Sequence, residues 1–269
     1  MTEPRISVVI PAKNSERTIG KCLQSVFNQV YHPHEVIVVD GGSTDKTRTI
    51  AEKNGAQVVV EPPHKGSAPG IGRNHGAENA HGDVLAFLDS DCYPLRTWLN
   101  LVLEVFKDSS VGVHGIVVRD GTGKIISGAY HYLHMQVSYD FVPSRCMAVR
   151  REAFRQVNGF DETLTTGEDN DLSYRIRQLG YKIVVDKESN VYHDDDHMTN
   201  LRGIWRQQLW YRESENEMRR RYPNKFRKLK TTYPLKDHLI PLIKSVRFGV
   251  RFALVCLIIK LLSVWRHVY

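Results

Sequence analysis

The chain has 269 residues, of which 41% are apolar and 25% are charged, as in an ordinary globular protein. With 19 Gly, 11 Pro and 4 Cys, it is not collagen-like, disordered or rich in disulfides. Its formal net charge of +7 is unevenly distributed: residues 200–269 contain 16 Lys and Arg against 4 Asp and Glu (+12), whereas residues 1–199 contain 21 against 26 (−5). We predict one domain, residues 1–199, followed by a basic helical tail, residues 200–269.

The N-terminus and the cysteines both indicate a reducing compartment. The first residues lead into a short apolar run, without the basic and long apolar segments of a secretory signal. The cysteines lie far apart and lack the C-x-x-C spacing of a zinc knuckle or a redox pair: Cys22, Cys92, Cys146 and Cys256. We expect buried thiols and a cytoplasmic protein.

Strands and helices alternate along the first 90 residues. Short β-branched runs predict the strands, and apolar residues at helical spacing, such as Ile19, Leu23 and Val26, predict the helices. The predicted strands are 6–10, stopped by Pro11, then 36–39, 58–60 and 84–88; the predicted helices cover 19–26, the stretch from Thr44 or Asp45 to Gly55, and the stretch from a Pro/Gly-rich loop at 62–70 to about Ala80. Continuous apolar strands separated by helices predict a parallel sheet buried on both faces.

Ligands of open parallel sheets bind beyond the carboxyl ends of the strands, where this chain has 11–14, 40–45 and 89–91. Asp89 and Asp91 flank Ser90 directly after an apolar strand, where unpaired buried charge would be unfavourable. Mg²⁺ or Mn²⁺, which prefer oxygen ligands and often also bind substrate phosphates, would remove that cost. A simple turn with Asx caps is the alternative, but the position at a strand end favours a metal site.

A second acidic cluster comes at the start of a predicted helix. Glu168 and Asp169 precede Leu172, Ile176 and Leu179, which have helical spacing, and Gly180 follows as the end signal. The helix macrodipole stabilises ionised carboxylates at this end, which suits a general base. A plain helix cap with acidic first-turn residues is the alternative.

Three further patterns concern nucleotide and metal binding. Gly70-x-Gly72-x-x-x-Gly76 has neither the spacing nor the position of a dinucleotide fingerprint, and the chain has no P-loop motif. The run from His193 to His197 is rich in potential metal ligands, but a solvated loop explains it equally well. Within this run, only His193 follows a predicted strand, Val191-Tyr192.

Taken in order, the motifs resemble those of glycosyltransferase family 2, over roughly residues 5–197. The matching segments are Ile6–Asn14, Glu35–Asp45, Arg73–Gly76, Phe87–Asp91, Gly159–Glu162, Glu168–Leu172 and Leu179–Tyr181. The resemblance implies the GT-A fold, a Rossmann-like, mostly parallel α/β sheet flanked by helices, and a nucleotide-diphosphate sugar as donor.

The resemblance also implies roles for individual residues. Asp89 and Asp91 would hold Mn²⁺ or Mg²⁺ against the diphosphate, some relatives add a ligand at the position of His193, and Asp169, beside Glu168, would deprotonate the acceptor. The donor site would include Pro11 and Asp40 at the nucleoside, Arg73 near the nucleotide, and Ala12, Asn14, Asp89 and Ser90.

One departure concerns position 41. Many relatives have a second acid there that can contact the base, whereas this chain has Gly41, so the resemblance does not identify the base as uracil. The stretch from Arg119 to Tyr139 corresponds to the variable acceptor side of the family. Its aromatic residues, including Tyr130, Tyr132 and Tyr139, could stack on a sugar or an apolar chain, or simply pack in the interior.

The predicted reaction is a metal-dependent, inverting transfer to a hydroxyl of a lipid-linked or glycan acceptor. A carboxylate base favours a hydroxyl acceptor over an acceptor that is already ionised, because only the hydroxyl must lose a proton. Two alternatives remain open: a sugar nucleotidyltransferase, whose usual Gly-rich first loop is absent because Ala12, Lys13 and Asn14 stand there, and a non-catalytic lipid-binding protein.

The basic tail interleaves aromatic residues with Arg and Lys but contains no nucleic-acid motif, so no nucleic-acid partner is predicted. The apolar stretch 252–265, interrupted by Lys260, is shorter than the ~20 residues that span a bilayer. Lys244, Arg247 and Arg251 share one helical face, which favours a helix lying on the inner face of the cell membrane. The alternative is an amphipathic helix that packs against the catalytic domain.

Overall fold

A computed structural model describes residues 3–62, 68–135, 142, 144–186, 191–194, 200–223, 245 and 250–268. The chain divides into two compact units. The first unit comprises residues 1–118 and 139–194, and the second comprises residues 119–138 and 195–269. The two units are described separately.

The strands, in chain order, are β1 (Ile6–Ala12), β2 (Glu35–Asp40), β3 (Gln57–Val60), β4 (Val84–Leu88), β5 (Cys92–Pro94), β6 (Val111–Ile116), β7 (Arg119–Asp120), β8 (Cys146–Arg150), β9 (Lys182–Asp186) and β10 (Val191–His193). The first unit is built on a seven-stranded sheet of order β3-β2-β1-β4-β8-β6-β9. Adjacent strands are parallel except β8, which is antiparallel to both β4 and β6. The predicted mostly parallel α/β sheet is confirmed.

The helices, in chain order, are α1 (Ile19–Phe27), α2 (Thr47–Lys53), α3 (Pro69–Glu78), α4 (Trp98–Phe106), α5 (Ile125–Met135), α6 (Arg151–Gln156), α7 (Glu168–Gln178), α8 (Leu201–Arg221) and α9 (Val250–Val268). Alternate residues of β1 enter two different cores: Val8 packs with α1 and α4 residues such as Leu23 and Leu99, and Val9 packs with Phe154 and Leu172 of α6 and α7. Because both faces of β1 are buried, its residues are apolar except Ser7, whose hydroxyl donates to the Glu35 carboxylate at 2.6 Å.

Several element boundaries differ from the sequence prediction. β1 continues through Pro11, whose fixed φ suits an extended strand. α2 begins at Thr47 because the Asp45 carboxylate accepts the backbone N–H of Thr47 at 2.9 Å, in a turn before the helix. Leu179 is 48% exposed, since α7 ends at Gln178 and Leu179 lies outside its buried stripe.

The glycines of the rejected dinucleotide pattern lie on α3, where they allow close packing. A Cβ at Gly76 would collide with Val9 and would lie 2.8 Å from Val39 Cγ2, so α3 can approach the sheet only with glycine there. Gly70 similarly faces Phe160. These glycines set the distance between α3 and the sheet.

The second unit has a small core formed by α5, α8 and α9. Its buried members are Ala129, Tyr130, Leu133, Ile204, Cys256 and Ile259. Tyr130 is therefore a packing residue, and Tyr132 packs partly buried against the same cluster. Tyr139 lies outside the described residues. Across the ranges given above, none of the helices combines the length and the apolar character needed to cross a bilayer.

All four cysteines are buried and free of disulfides, as expected. A buried residue that the sequence patterns did not single out is His114 on β6, whose two ring nitrogens have no hydrogen-bond partner. Burial lowers its pKa to about 4, although Asp186 acts in the opposite direction. His114 is therefore neutral at physiological pH and acts as a core residue.

Candidate active site

The turn after β4 separates the two acidic side chains of the D-x-D motif. The backbone N–H of Asp89 donates to the carbonyl of Arg145 at 3.0 Å, and that of Cys92 donates to the carbonyl of Asp89 at 2.9 Å. The Ser90 hydroxyl lies 2.9 Å from that of Ser15. The turn is thereby fixed from both sides, and the two carboxylates meet different partners.

Asp91 lies beside His193, with 3.3 Å between Asp91 Oδ1 and His193 Nε2. The pairing of β5 with β10 sets this proximity, because His193 and Cys92 are directly opposite each other. The ligand atoms of Asp91, Cys92 and His193 all lie within 4.8 Å of one another. Burial raises the pKa of the Cys92 thiol, so it stays protonated. A carboxylate and an imidazole fit a divalent cation such as Mn²⁺.

Asp89 points instead to Arg73 of α3, which is 5% exposed. One guanidinium nitrogen of Arg73, Nη2, donates to Asp89 Oδ1 at 2.8 Å, and the other, Nη1, donates to Glu168 Oε1 at 3.0 Å. Arg73 therefore links the D-x-D turn to the start of α7. The sequence predicts each of these residues separately, and the structure brings them together.

Glu168 and Asp169 are adjacent but differ in their surroundings. Gly167, with φ of 78°, turns the chain into α7, and Ser144 donates its hydroxyl to Glu168 at 3.2 Å and its N–H to Asp169 at 3.1 Å. Glu168 is buried at 4% exposure, whereas Asp169 is half-buried. Since Arg73 also binds Glu168, Asp169 is the more accessible carboxylate of the pair.

Burial raises the pKa of Glu168 to about 7; the negative charge of Asp169 adds to the rise, and Arg73 opposes it. Burial also raises the pKa of Asp169, against hydrogen bonds from the backbone of Ser144 and Asn170 and the charges of Arg73 and Arg145. A carboxylate with a raised pKa is a stronger base, which suits proton abstraction.

On the opposite side of the D-x-D turn, the loops after β1 and β2 are joined to each other. Asn14, with φ of 50°, donates its N–H to the Ser43 hydroxyl at 3.0 Å and accepts the N–H of Thr44 at 2.9 Å. Asn14 is exposed, whereas Pro11 is half-buried and Ala12 is buried. These two loops lie at the carboxyl ends of β1 and β2, where the predicted nucleoside-binding residues are.

Asp40 is fully buried at the end of β2. Its carboxylate accepts the N–H of Ser43 at 3.2 Å and Arg48 Nη2 at 2.7 Å. Burial raises the pKa of Asp40, but these hydrogen bonds outweigh it and hold the pKa below its usual range. The Asp40 carboxylate thus fixes the loop after β2.

Ser144 and Arg145, which precede β8, were not predicted from the sequence. Arg145 Nη1 lies 3.5 Å from His193 Nδ1, so its guanidinium is near the candidate metal ligands. No local motif marks these residues, because β8 reaches the D-x-D turn only through its antiparallel pairing with β4. Asp195, Asp196 and His197 lie outside the described residues.

Comparisons with known proteins identify the family of the chain. The sequence model described as glycosyl transferase family 2 matches residues 7–157, and one described as the N-terminal domain of galactosyltransferase matches residues 125–197. The chain belongs to glycosyl transferase family 2. The resemblance inferred from the motifs is confirmed, and this family favours glycosyl transfer over the nucleotidyltransferase and lipid-binding alternatives.

Two curated relatives are similar over much of the chain. The pre-mycofactocin glycosyltransferase of Mycobacterium tuberculosis is 31% identical over 237 residues, 82% of this chain and 48% of the relative. Glycosyltransferase AglE of Haloferax volcanii is 30% identical over 197 residues, 68% of this chain and 64% of the relative. The chain thus spans about half the length of the first relative and under two thirds of the second.

Solved structures share the fold. A mannosyltransferase from Pyrobaculum calidifontis, in complex with GDP-Man and Mn²⁺, has a TM-score of 0.64 at 19% identity, covering 96% of this chain and 75% of its own. Glucosyl-3-phosphoglycerate synthase from Mycobacterium tuberculosis, with Mn²⁺, UDP and phosphoglyceric acid, has a TM-score of 0.56 at 25% identity, covering 71% of each chain. The GT-A fold expected from the motifs is confirmed.

Proposed function

We propose that this protein transfers a sugar from a nucleotide-diphosphate sugar to an acceptor hydroxyl, with inversion, using Mn²⁺ or Mg²⁺. The observation that carries the proposal is the Arg73 bridge, which joins Asp89 of the D-x-D turn to Glu168 at the start of α7. The sequence neighbours of the two bridged carboxylates would then supply the chemistry, Asp91 together with His193 as a cation site and Asp169 as the base.

Asp91 and His193 would hold the cation, and the 3.3 Å between their ligand atoms supports this assignment. When bound, a divalent cation stabilises the negative charge that develops on the departing diphosphate. Asp89 was predicted as a further ligand; its ion pair with Arg73 suggests instead that it orients the guanidinium next to the phosphates. Arg145, close to His193, adds positive charge on the same side.

Asp169 would take the proton of the acceptor hydroxyl as its oxygen attacks the anomeric carbon. Attack from the face opposite the leaving diphosphate gives a single displacement with inversion. Hydrogen bonds from Ser144 and Asn170 hold the Asp169 carboxylate in place, and Arg73 binds the carboxylate of the neighbouring Glu168.

The donor is tested with a panel of UDP- and GDP-sugars in the presence of Mn²⁺ or Mg²⁺. We expect at least one donor to be bound and slowly hydrolysed, and Asp91→Asn to lose both metal-dependent binding and hydrolysis. Asp108→Asn, a change to an exposed carboxylate of the same unit, serves as the control. The proposal fails if no donor is bound, or if Asp91→Asn behaves like the control.

We further propose that the second unit binds an anionic membrane surface at the cytoplasmic face, where a lipid-linked or glycan acceptor would be found. Exposed apolar side chains recur along α9 at helical spacing: Val250 (70% exposed), Leu254 (54%), Leu257 (41%) and Leu261 (60%). The opposite side of α9 contributes Cys256 and Ile259 to the core of the unit. The +12 charge of residues 200–269 complements anionic lipid. Lys244 and Arg247 lie outside the described residues.

Vesicle sedimentation tests this surface. We expect the protein to sediment with vesicles of mixed neutral and anionic lipid, and less so at high salt, because the charges are screened. Changing both Leu254 and Leu257 to Gln should weaken binding at least tenfold, roughly the contribution of two inserted leucines. Leu95→Gln, an exposed leucine of the first unit, is the control. Equal sedimentation of all three proteins would overturn the membrane proposal.

A further inference from the structure

The carboxylate of Glu61 lies at the edge of the sheet where the donor nucleoside is expected. Glu61 follows β3 directly, and its N–H donates to the carbonyl of Asp40 at 3.0 Å. It is half-buried. No sequence motif marks Glu61, because the sequence does not show which residues of neighbouring strands lie next to it.

Two glycines form the space that the Glu61 carboxylate occupies. A Cβ placed on Gly41 would lie only 2.9 Å from Glu61 Oε2, 3.6 Å from Lys13 Cβ and 3.7 Å from the carbonyl of Ala12. A Cβ placed on Gly72 of α3 would lie 3.5 Å from Glu61 Oε1. The carboxylate therefore fills the position that a side chain at residue 41 would otherwise take, next to the loop that follows β1.

The sheet order determines which part of a donor would reach this carboxylate. The candidate cation ligand Asp91 follows β4, while Ser144 and Asp169 lie on the β8 side of β4. The nucleoside must then extend the other way, over β1, β2 and β3. From β4 to β3 there are three strand spacings, about 14 Å in all. That distance suits an extended nucleoside diphosphate whose base ends beside Glu61.

We propose that Glu61 selects the nucleobase of the donor, an inference that rests on the proposed function. An ionised carboxylate only accepts hydrogen bonds. Where this carboxylate faces the ring nitrogen of the base, it favours a base with an N–H there, namely N3–H of uracil or N1–H of guanine. A base with a bare ring nitrogen at that position, cytosine or adenine, leaves two acceptors facing each other, which is unfavourable. The recognised class is a uracil or guanine nucleoside diphosphate.

The test is the affinity of the whole protein, with Mn²⁺, for UDP, GDP, CDP and ADP. We expect the wild type to bind UDP or GDP about 10 to 100 times more tightly than CDP and ADP, as for a hydrogen bond to a charged group. The tighter binder of UDP and GDP identifies the base of the donor. Glu61→Ala should remove the preference, and Glu61→Gln should narrow it, because an amide can also donate to the ring nitrogen of cytosine.

A double variant separates recognition from a purely structural role. Because φ of Gly41 is not in the left-handed region, a side chain fits there once Glu61 is shortened. Gly41→Asp combined with Glu61→Ala places a carboxylate at the same point from the neighbouring strand, and we expect it to restore the base preference. Glu78→Gln, which changes an exposed carboxylate on α3, is the control and should keep the wild-type preference.

The outcomes distinguish the two proposals. If the wild type binds no nucleoside diphosphate, the proposed function fails. If it binds them without a base preference, or if Glu61→Ala keeps the preference, the role of Glu61 is overturned while the proposed function stands. Loss of preference in Glu61→Ala with recovery in the double variant supports the role, and loss without recovery in a folded double variant contradicts it.

Discussion

Replacing Asp169 by Asn is expected to lower kcat for glycosyl transfer by about 10³-fold, within the range of general-base contributions. The amide cannot take the acceptor proton, and its single carbonyl oxygen keeps one of the two backbone hydrogen bonds that Asp169 accepts from Ser144 and Asn170. Affinity for the nucleoside diphosphate should be unchanged, because Asp169 acts on the acceptor. Steady-state kinetics with saturating donor, together with calorimetric binding of the diphosphate, measure both quantities.

The same variant has a signature in the pH profile. Only ionised Asp169 is a base, so the wild-type rate should fall as the pH drops through its pKa. Burial raises that pKa, which places the acid limb at higher pH than for an exposed aspartate. Asp169→Asn should show a low rate without this limb. An unchanged acid limb in the variant, or a loss of diphosphate binding equal to the loss of rate, would contradict the assignment.

Replacing Arg73 by Met should destabilise the first unit by about 3–5 kcal/mol, the usual cost of removing one partner from a buried ion pair. Glu168, at 5% side-chain exposure, would have to take up a proton, because Arg73 opposes the rise in its pKa that burial causes, and Asp89 would lose its partner as well. Urea unfolding gives the free energy. Arg5→Met is the matched control: its partner Asp83 and Arg5 itself are more than half exposed, so a change of at most about 1 kcal/mol is expected.

Adding Glu168→Gln to Arg73→Met should restore part of the lost stability, because a neutral amide can stay buried without a cation or a bound proton. Activity should not return, since the link between the D-x-D turn and α7 is still missing. If the single and double variants unfold at the same urea concentration, Glu168 is not the source of the cost.

The sequence alone determined the parts of this protein that depend on local pattern. Largely apolar runs identified β1, β2, β3 and β4, because strands buried on both faces need apolar side chains at almost every position. The acidic residues after β4 and at the start of α7 were recognisable because the ends of strands and helices have characteristic short sequence patterns. The ordered motifs were sufficient to identify the family.

The tertiary structure alone decided the partners of those residues. Asp89 binds Arg73 while Asp91 meets His193, although the two acids are two residues apart, because a turn directs adjacent side chains differently. Tyr130 packs inside the second unit, and Glu61 fills the space beside Gly41. The physical reason is the same in each case. The local sequence determines the hydrophobic periodicity and the ends of a helix or strand. The neighbours of a side chain depend instead on which strands, distant in sequence, lie side by side.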